Sequence, residues 1–265
     1  MSYISDFKGA AFSLFGVNGG VTSNDASLAT QVGQRFNTAD YREVVLVQNG
    51  AAALASGILV QAPATIGANH TGLAVIGLAT ANPIGSKTLT VTNGGTATTA
   101  NQYAGGFAVV SAGTGIGQTL RIASNTAAGT SGNTVLTLED PLSVAVTSAD
   151  SKVSLTLNPY GSKNGTAYTT HGVVISPTAS TGATIGVTLY PIPASTATVL
   201  SYGFIVCKGA VACLNDSATA VGLDVMPSSS VAGAVVTYAV ATRNRVGTAT
   251  VAGENTKAQL INVQL

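Results

Sequence analysis

The run Tyr202-Gly203-Phe204-Ile205-Val206-Cys207-Lys208-Gly209-Ala210-Val211-Ala212 sets the tightest limit on what this chain can fold into. Its β-branched and aromatic residues suit a pleated, half-buried surface, and glycine punctuates it. It reads as a strand, a turn centred on Gly209 and a second strand of small residues. Val45-Leu46-Val47-Gln48-Asn49-Gly50-Ala51-Ala52-Ala53-Leu54 echoes it near the start. Each is followed later by a Gly-x-Ala step, at Gly77-Leu78-Ala79 and at Gly247-Thr248-Ala249. No acid, base or metal ligand recurs with the pattern. Backbone shape is what repeats, which points to a structural building block.

Charge is scarce. The chain carries 11 basic and 10 acidic residues among 265, for a formal net of +1. No long-range field draws in nucleic acid or acidic lipid. No formally charged residue occurs from Val44 to Ser86, nor from Asn164 to Cys207. A soluble monomer ordinarily covers about a quarter or more of its surface with mixed charge. A chain this neutral favours an oligomer or an assembly component over a Thr/Ser/Asn-coated monomer.

The neutral stretches do not read as membrane spans. Gln48, Asn49, Gln61, Pro63, Asn69 and His70 break the first one, and a spanning helix needs ~18 continuous apolar residues. The scattered Phe and Tyr do not form the girdles of a membrane barrel. Met1-Ser2-Tyr3-Ile4-Ser5-Asp6 lacks the basic start and apolar core of a secretion signal, so assembly in the cytoplasm is expected.

The fold class expected is all-β, with small β-barrel or β-sandwich domains and a flexible or partly helical N-terminal arm. The arm is residues 1–38. Ile4, Phe7, Ala11 and Leu14 fit helical spacing, whereas Phe12 and Leu14 fit strand alternation equally well. It either folds back on its own core or lies on a neighbour. Two β domains follow, 39–160 and 161–265, unless their segments interleave. Strands are predicted at Tyr41–Gln48, Gly57–Gln61, Leu73–Leu78, Thr88–Thr92, Phe107–Val110, Thr119–Ala123, Thr134–Leu138 and Lys152–Leu157. In the C-terminal part they are predicted at Gly172–Ile175, Ile185–Leu189, Phe204–Lys208, Val211–Leu214, Gly222–Val225, Ala234–Val240 and Leu260–Val263.

The search for chemistry yields little. Gly113-Thr114-Gly115-Ile116-Gly117 looks like a phosphate loop, but Gln118–Ile122 alternates like a strand and no Gly-Lys-Ser/Thr follows. A hairpin loop is the better reading. Cys207 and Cys213 flank Gly209 and could face one another across a hairpin; two buried thiols are the default for a cytoplasmically assembled chain. His70 and His171 lack metal-ligand spacing. Glu139, Asp140, Asp216, Asp224 and Glu254 sit in turn contexts or at strand edges, and no Gly-x-Ser-x-Gly elbow accompanies them. The expectation is no catalytic residue, no metal, no cofactor and no enzymatic activity.

A set of dispersed segments resembles structural head proteins of tailed bacteriophages. It comprises Gly105–Val110, Gly113–Gly117, Leu120–Ala127, Leu138–Leu142, Val153–Leu155, Asn158-Pro159-Tyr160, Gly186–Leu189, Tyr202–Ala210, Val221-Gly222 and Pro227-Ser228-Ser229. Within that group the chain looks most like capsid decoration, or cement, proteins, over roughly residues 40–265. The resemblance implies a non-enzymatic protein that binds and stabilises the exterior of an icosahedral capsid as a homotrimer, its partners being the major capsid protein and itself. It implies no nucleic-acid, membrane or small-molecule partner. Tyr3, Phe7, Phe12, Leu14 and Phe15 are the candidate capsid or subunit contacts. A tail-fibre or receptor-binding β module is the alternative. A shell-forming capsid protein needs a long helix for which the glycine spacing leaves little room.

Overall fold

The computed structural model describes residues 21–23, 26–63, 70, 76–163, 171–179, 181–239 and 244–265. The chain is all-β, as expected from its composition. It begins with β1 (Val21–Ser23), helix α1 (Ala26–Gln31), β2 (Arg35–Asn37), β3 (Glu43–Gln48) and β4 (Leu59–Gln61). Next come β5 (Ile76–Gly77), β6 (Thr88–Thr92), β7 (Phe107–Ala112), β8 (Thr119–Asn125), β9 (Asn133–Leu138) and β10 (Lys152–Thr156). It ends with β11 (Val174–Ile175), β12 (Thr184–Thr188), β13 (Leu200–Leu214), β14 (Asp224–Pro227), β15 (Val235–Thr237), β16 (Gly247–Ala249) and β17 (Ala258–Gln264).

These elements form two compact bodies, and their boundaries correct the division at residue 160. The first body takes the described residues up to 63, 159–161 and those from 171 on; the second takes 70–158 with 162 and 163. Strand pairing explains the difference. β3 is antiparallel to β13, and β4 to β11 and β12, so residues 43–61 belong with the C-terminal half. The segments do interleave: the second body is an insertion.

The arm assignment of residues 1–38 is also corrected over its described C-terminal part. β1 pairs with β13, and β2 pairs with β3. Leu28, Ala29, Val32 and Phe36 are buried in the first body's main core. Phe36 meets Phe204 edge-on at a centroid distance of 5.9 Å, a geometry that adds to simple area burial. Tyr3, Phe7, Phe12, Leu14 and Phe15 lie outside the described residues.

Strand β13 organises the first body, and it overturns the predicted turn at Gly209. The strand runs uninterrupted from Leu200 to Leu214 and pairs with β1, β3, β12 and β17. In its first half Leu200, Tyr202, Phe204 and Val206 enter one core, while Ile205 and Cys207 enter another on the opposite face. β3 shares both faces, with Val44 and Leu46 on one side and Val45 and Val47 on the other. A strand covered on both faces reads as a continuous apolar run.

A register shift between Val206 and Lys208 then breaks the alternation. Beyond it the odd-numbered Val211 and Cys213 occupy the core that the even-numbered residues occupied before. One extra residue exchanges the two faces of a strand. Gly209 makes the irregularity possible, because its φ is +103° and a Cβ there would lie 3.0 Å from the Arg42 Cα. Cys207 and Cys213 therefore sit on one strand, in different cores, both as free thiols.

The second body is an antiparallel sheet in the order β5-β10-β7-β8-β9-β6. A bridge between Leu78 and Val91, with the Ala79 N–H donating to the Thr90 carbonyl at 2.9 Å, joins its two ends. The bridge brings the two edge strands of the sheet together, so the six strands curl into a barrel. Alternating residues such as Leu89 and Val91, Leu120 and Ile122, and Val153 and Leu155 fill the interior.

Candidate interaction surface

Most reactive groups singled out in the sequence have a structural occupation. The glycine-rich loop at 113–117 joins β7 to β8 in a hairpin, with Gly113, Gly115 and Gly117 all at positive φ. The Thr114 amide and hydroxyl donate to the Asp150 carboxylate at 3.1 and 2.9 Å, so the chain's own carboxylate occupies the loop donor. Strand β8 follows where a phosphate site would place a helix.

His70 is fully buried in the barrel. Its Nε2–H donates to the Thr96 carbonyl at 3.1 Å, which leaves Nδ1 to accept from the Tyr103 hydroxyl. Burial lowers the His70 pKa and raises that of Tyr103. In the first body, burial pushes the His171 pKa down to about 4. Burial also pushes the Cys207 thiol up to about 11, assisted by Glu43, and the Cys213 thiol up to about 12. Such thiols carry almost no thiolate at neutral pH, which suits packing rather than attack.

The carboxylates serve ion pairs and turns. Glu139 meets Arg121 at 3.1 Å, Asp224 meets Arg245 at 2.9 Å, and Asp216 accepts from the Ser228 hydroxyl. Glu43 pairs with Arg35, which also donates to the Tyr160 hydroxyl at 2.9 Å. Among the described residues no three His, Cys, Asp or Glu side chains gather as a metal site, and no helix there is long and apolar enough to cross a membrane.

What the first body does build is an exposed sheet face of small and aliphatic residues, bordered by the Asp224–Arg245 ion pair that holds the Thr248 hydroxyl. The exchange of faces at Gly209 turns Ala210 and Ala212 outward while Val211 and Cys213 go inward. Ala212 is the register partner of Leu260, and Ala210 of Asn262. Asn262 in turn pairs with Thr248. Leu260 keeps 40% of its surface exposed. The turn before β14 adds Val221 and Leu223, held to β16 by Gly222 N–H to Ala249 O and Ala249 N–H to Leu223 O, both 2.8 Å. Val251 joins them, its N–H directed at the Leu260 carbonyl at 3.3 Å. Lys208 stands at one end of this face, and Glu254 and Lys257 lie in the turn leading to β17.

Tyr41 is the most exposed large apolar residue described, at 94%. Its φ of +64° is unusual for a residue with a Cβ. The turn around it is locked: Thr38 N–H donates to Arg42 O at 2.8 Å, Tyr41 N–H to Thr38 O at 3.1 Å, and Asp40 pairs with Arg42. That pairing holds the Asp40 carboxyl down to about 2. The Tyr41 and Arg42 backbone abuts Gly209, in the strand that carries Ala210 and Ala212. Sequence reasoning missed Tyr41, Val221, Leu223, Val251 and Leu260, because exposure is decided by which residues the bulge and turns direct outward.

Comparison with known proteins gives no matching family model, no matching curated protein and no matching solved structure.

Proposed function

We propose that this chain is a non-enzymatic virion structural protein that binds and stabilises the outer surface of an icosahedral phage capsid as a homotrimer. The observation that carries the reading is the exposed face of Ala210, Ala212 and Leu260, bordered by turns that carry the exposed Val221, Leu223 and Val251 and are tied to the adjoining strands by backbone hydrogen bonds. Small and aliphatic side chains cost little to desolvate and pack closely against a second protein surface, and the Asp224–Arg245 pair beside Thr248 supplies a polar margin. The locked turn that displays Tyr41 supports the same reading, since its backbone is already ordered before any partner binds. The sequence resemblance to capsid decoration proteins supplies the identity of the partner, the major capsid protein.

The test is mass in solution, by light scattering after size exclusion, for the full chain alone and mixed with purified capsids that lack it. A trimer that co-migrates with capsids is the expected result, and removal of residues 2–16 is expected to abolish co-migration. A monomer that ignores capsids overturns the reading and directs the work to receptor and glycan screens suited to a tail-fibre module.

A further inference from the structure

We infer that the six-stranded barrel is a separately cooperative insert, which opens and recloses while the first body stays folded. Three observations converge on this. Among the described residues every strand of the barrel pairs with strands of the barrel itself, and the Leu78–Val91 bridge joins its two ends. Its core is complete as well: every residue of the cluster that contains Leu89, Ile122, Leu136 and Leu155 lies between 78 and 157. The two cores of the first body draw no residue from that interval.

The third observation is where the insertion begins and ends. In the first body the flanking strands β4 and β11 are antiparallel neighbours, with Gln61 opposite Val174 and Val60 opposite Ile175. In the barrel, the Leu155 N–H donates to the His70 carbonyl at 2.8 Å, so the incoming chain lies beside the end of β10, from which the chain departs. Entry and exit are therefore close together in the barrel, and in the first body the chain returns first at residues 159–161, where the Gln48 N–H donates to the Tyr160 carbonyl at 3.0 Å, before 162 and 163 rejoin the barrel. A domain inserted at such a site leaves its host's pairing intact, and each unit keeps its own cooperative transition.

Scanning calorimetry of the full-length chain tests this, with one core truncation in each body. Leu136 and Ile261 are both fully buried, one in each body. The unmodified chain is expected to show two transitions. Leu136→Ala should lower one of them by at least about 8 °C and leave the other in place. Ile261→Ala should lower only the other, by at least about 4 °C because that body is larger. A single transition, or two that shift together in either variant, overturns the inference. If a variant does not accumulate, hydrogen exchange on the unmodified chain decides. Leu89, Ile122 and Leu136 should share one opening free energy, and Val45, Ile205 and Ile261 a different one; a common value for all six overturns the inference.

Discussion

Deleting Gly209 tests the account of β13 most directly. The bulge lets even-numbered residues before it and odd-numbered residues after it fill the same core. Removing one residue restores simple alternation, turning Val211 and Cys213 outward and Ala210 and Ala212 inward. Val211 is 5% exposed and Cys213 is 0% exposed, so both lose nearly complete burial. The transfer term for the two side chains is about 3 kcal/mol. Alanines fill the vacated space poorly, and the cavity term raises the total to about 3–5 kcal/mol. That is a large share of the ~5–15 kcal/mol that holds a domain folded.

Two readouts on a Cys207→Ala background, where Cys213 is the sole thiol, check the reasoning. Urea unfolding should show the loss of stability. A thiol reagent at pH 8 without denaturant should modify Cys213 at least about tenfold faster in the deletion variant, because the sulfur moves from core to solvent. The parent thiol is shielded by burial, which also holds its pKa up at about 12. Equal protection of Cys213 in both proteins, with unfolding free energies within ~0.5 kcal/mol, would refute the exchange of faces.

The remaining predictions concern separate parts of the chain. His171 is buried neutral with its pKa lowered from 6.5 to about 4, and the His70 pKa is lowered too. Each contribution to stability is complete above pH 6.5 and is lost as the pH falls below it, for His171 toward about 4, because the unfolded state binds protons that the native state refuses. For His171 the loss is about 1–2 kcal/mol after allowance for solvent screening; a urea midpoint constant from pH 7 to 4.5 would contradict it. Gly106→Ala places a Cβ 1.9 Å from the Thr156 carbonyl oxygen, so backbone must move at a cost of about 2–3 kcal/mol, measurable as a lower barrel melting temperature. Tyr41→Ala and Leu260→Asp alter exposed side chains, so each should change stability by under about 1 kcal/mol while weakening oligomer or capsid association; unchanged association by both would remove this face from the interface.

Much of the fold was legible in the sequence for a local reason. Thr88–Thr92 is a strand with the bounds its alternation predicts, and its burial alternates accordingly. The glycines at 113, 115 and 117 mark a hairpin because each must adopt positive φ there. The Gly-x-Ala step at Gly247–Ala249 is not predicted as a strand, because two of its three residues are small and carry no periodic signal. Helix α1 has only six residues, too few to display a helical stripe. The candidate anchors Tyr3, Phe7, Phe12, Leu14 and Phe15 lie outside the described residues, whereas the exposed face that the structure does present was not foreseen.

Composition and turn chemistry by themselves determined the β class, the position of most strands and the scarcity of surface charge. These are properties of neighbouring residues, and pleat geometry and glycine φ act over that same short range. Tertiary structure alone decided that Gly209 continues a strand, that residues 43–61 join the C-terminal half, and that the barrel is an insertion. Each depends on pairing between segments far apart in the chain, as when Gly203 faces Val47 or Gln61 faces Val174. A strand records its own alternation but not its partner, and the partner decides which of its faces meets water.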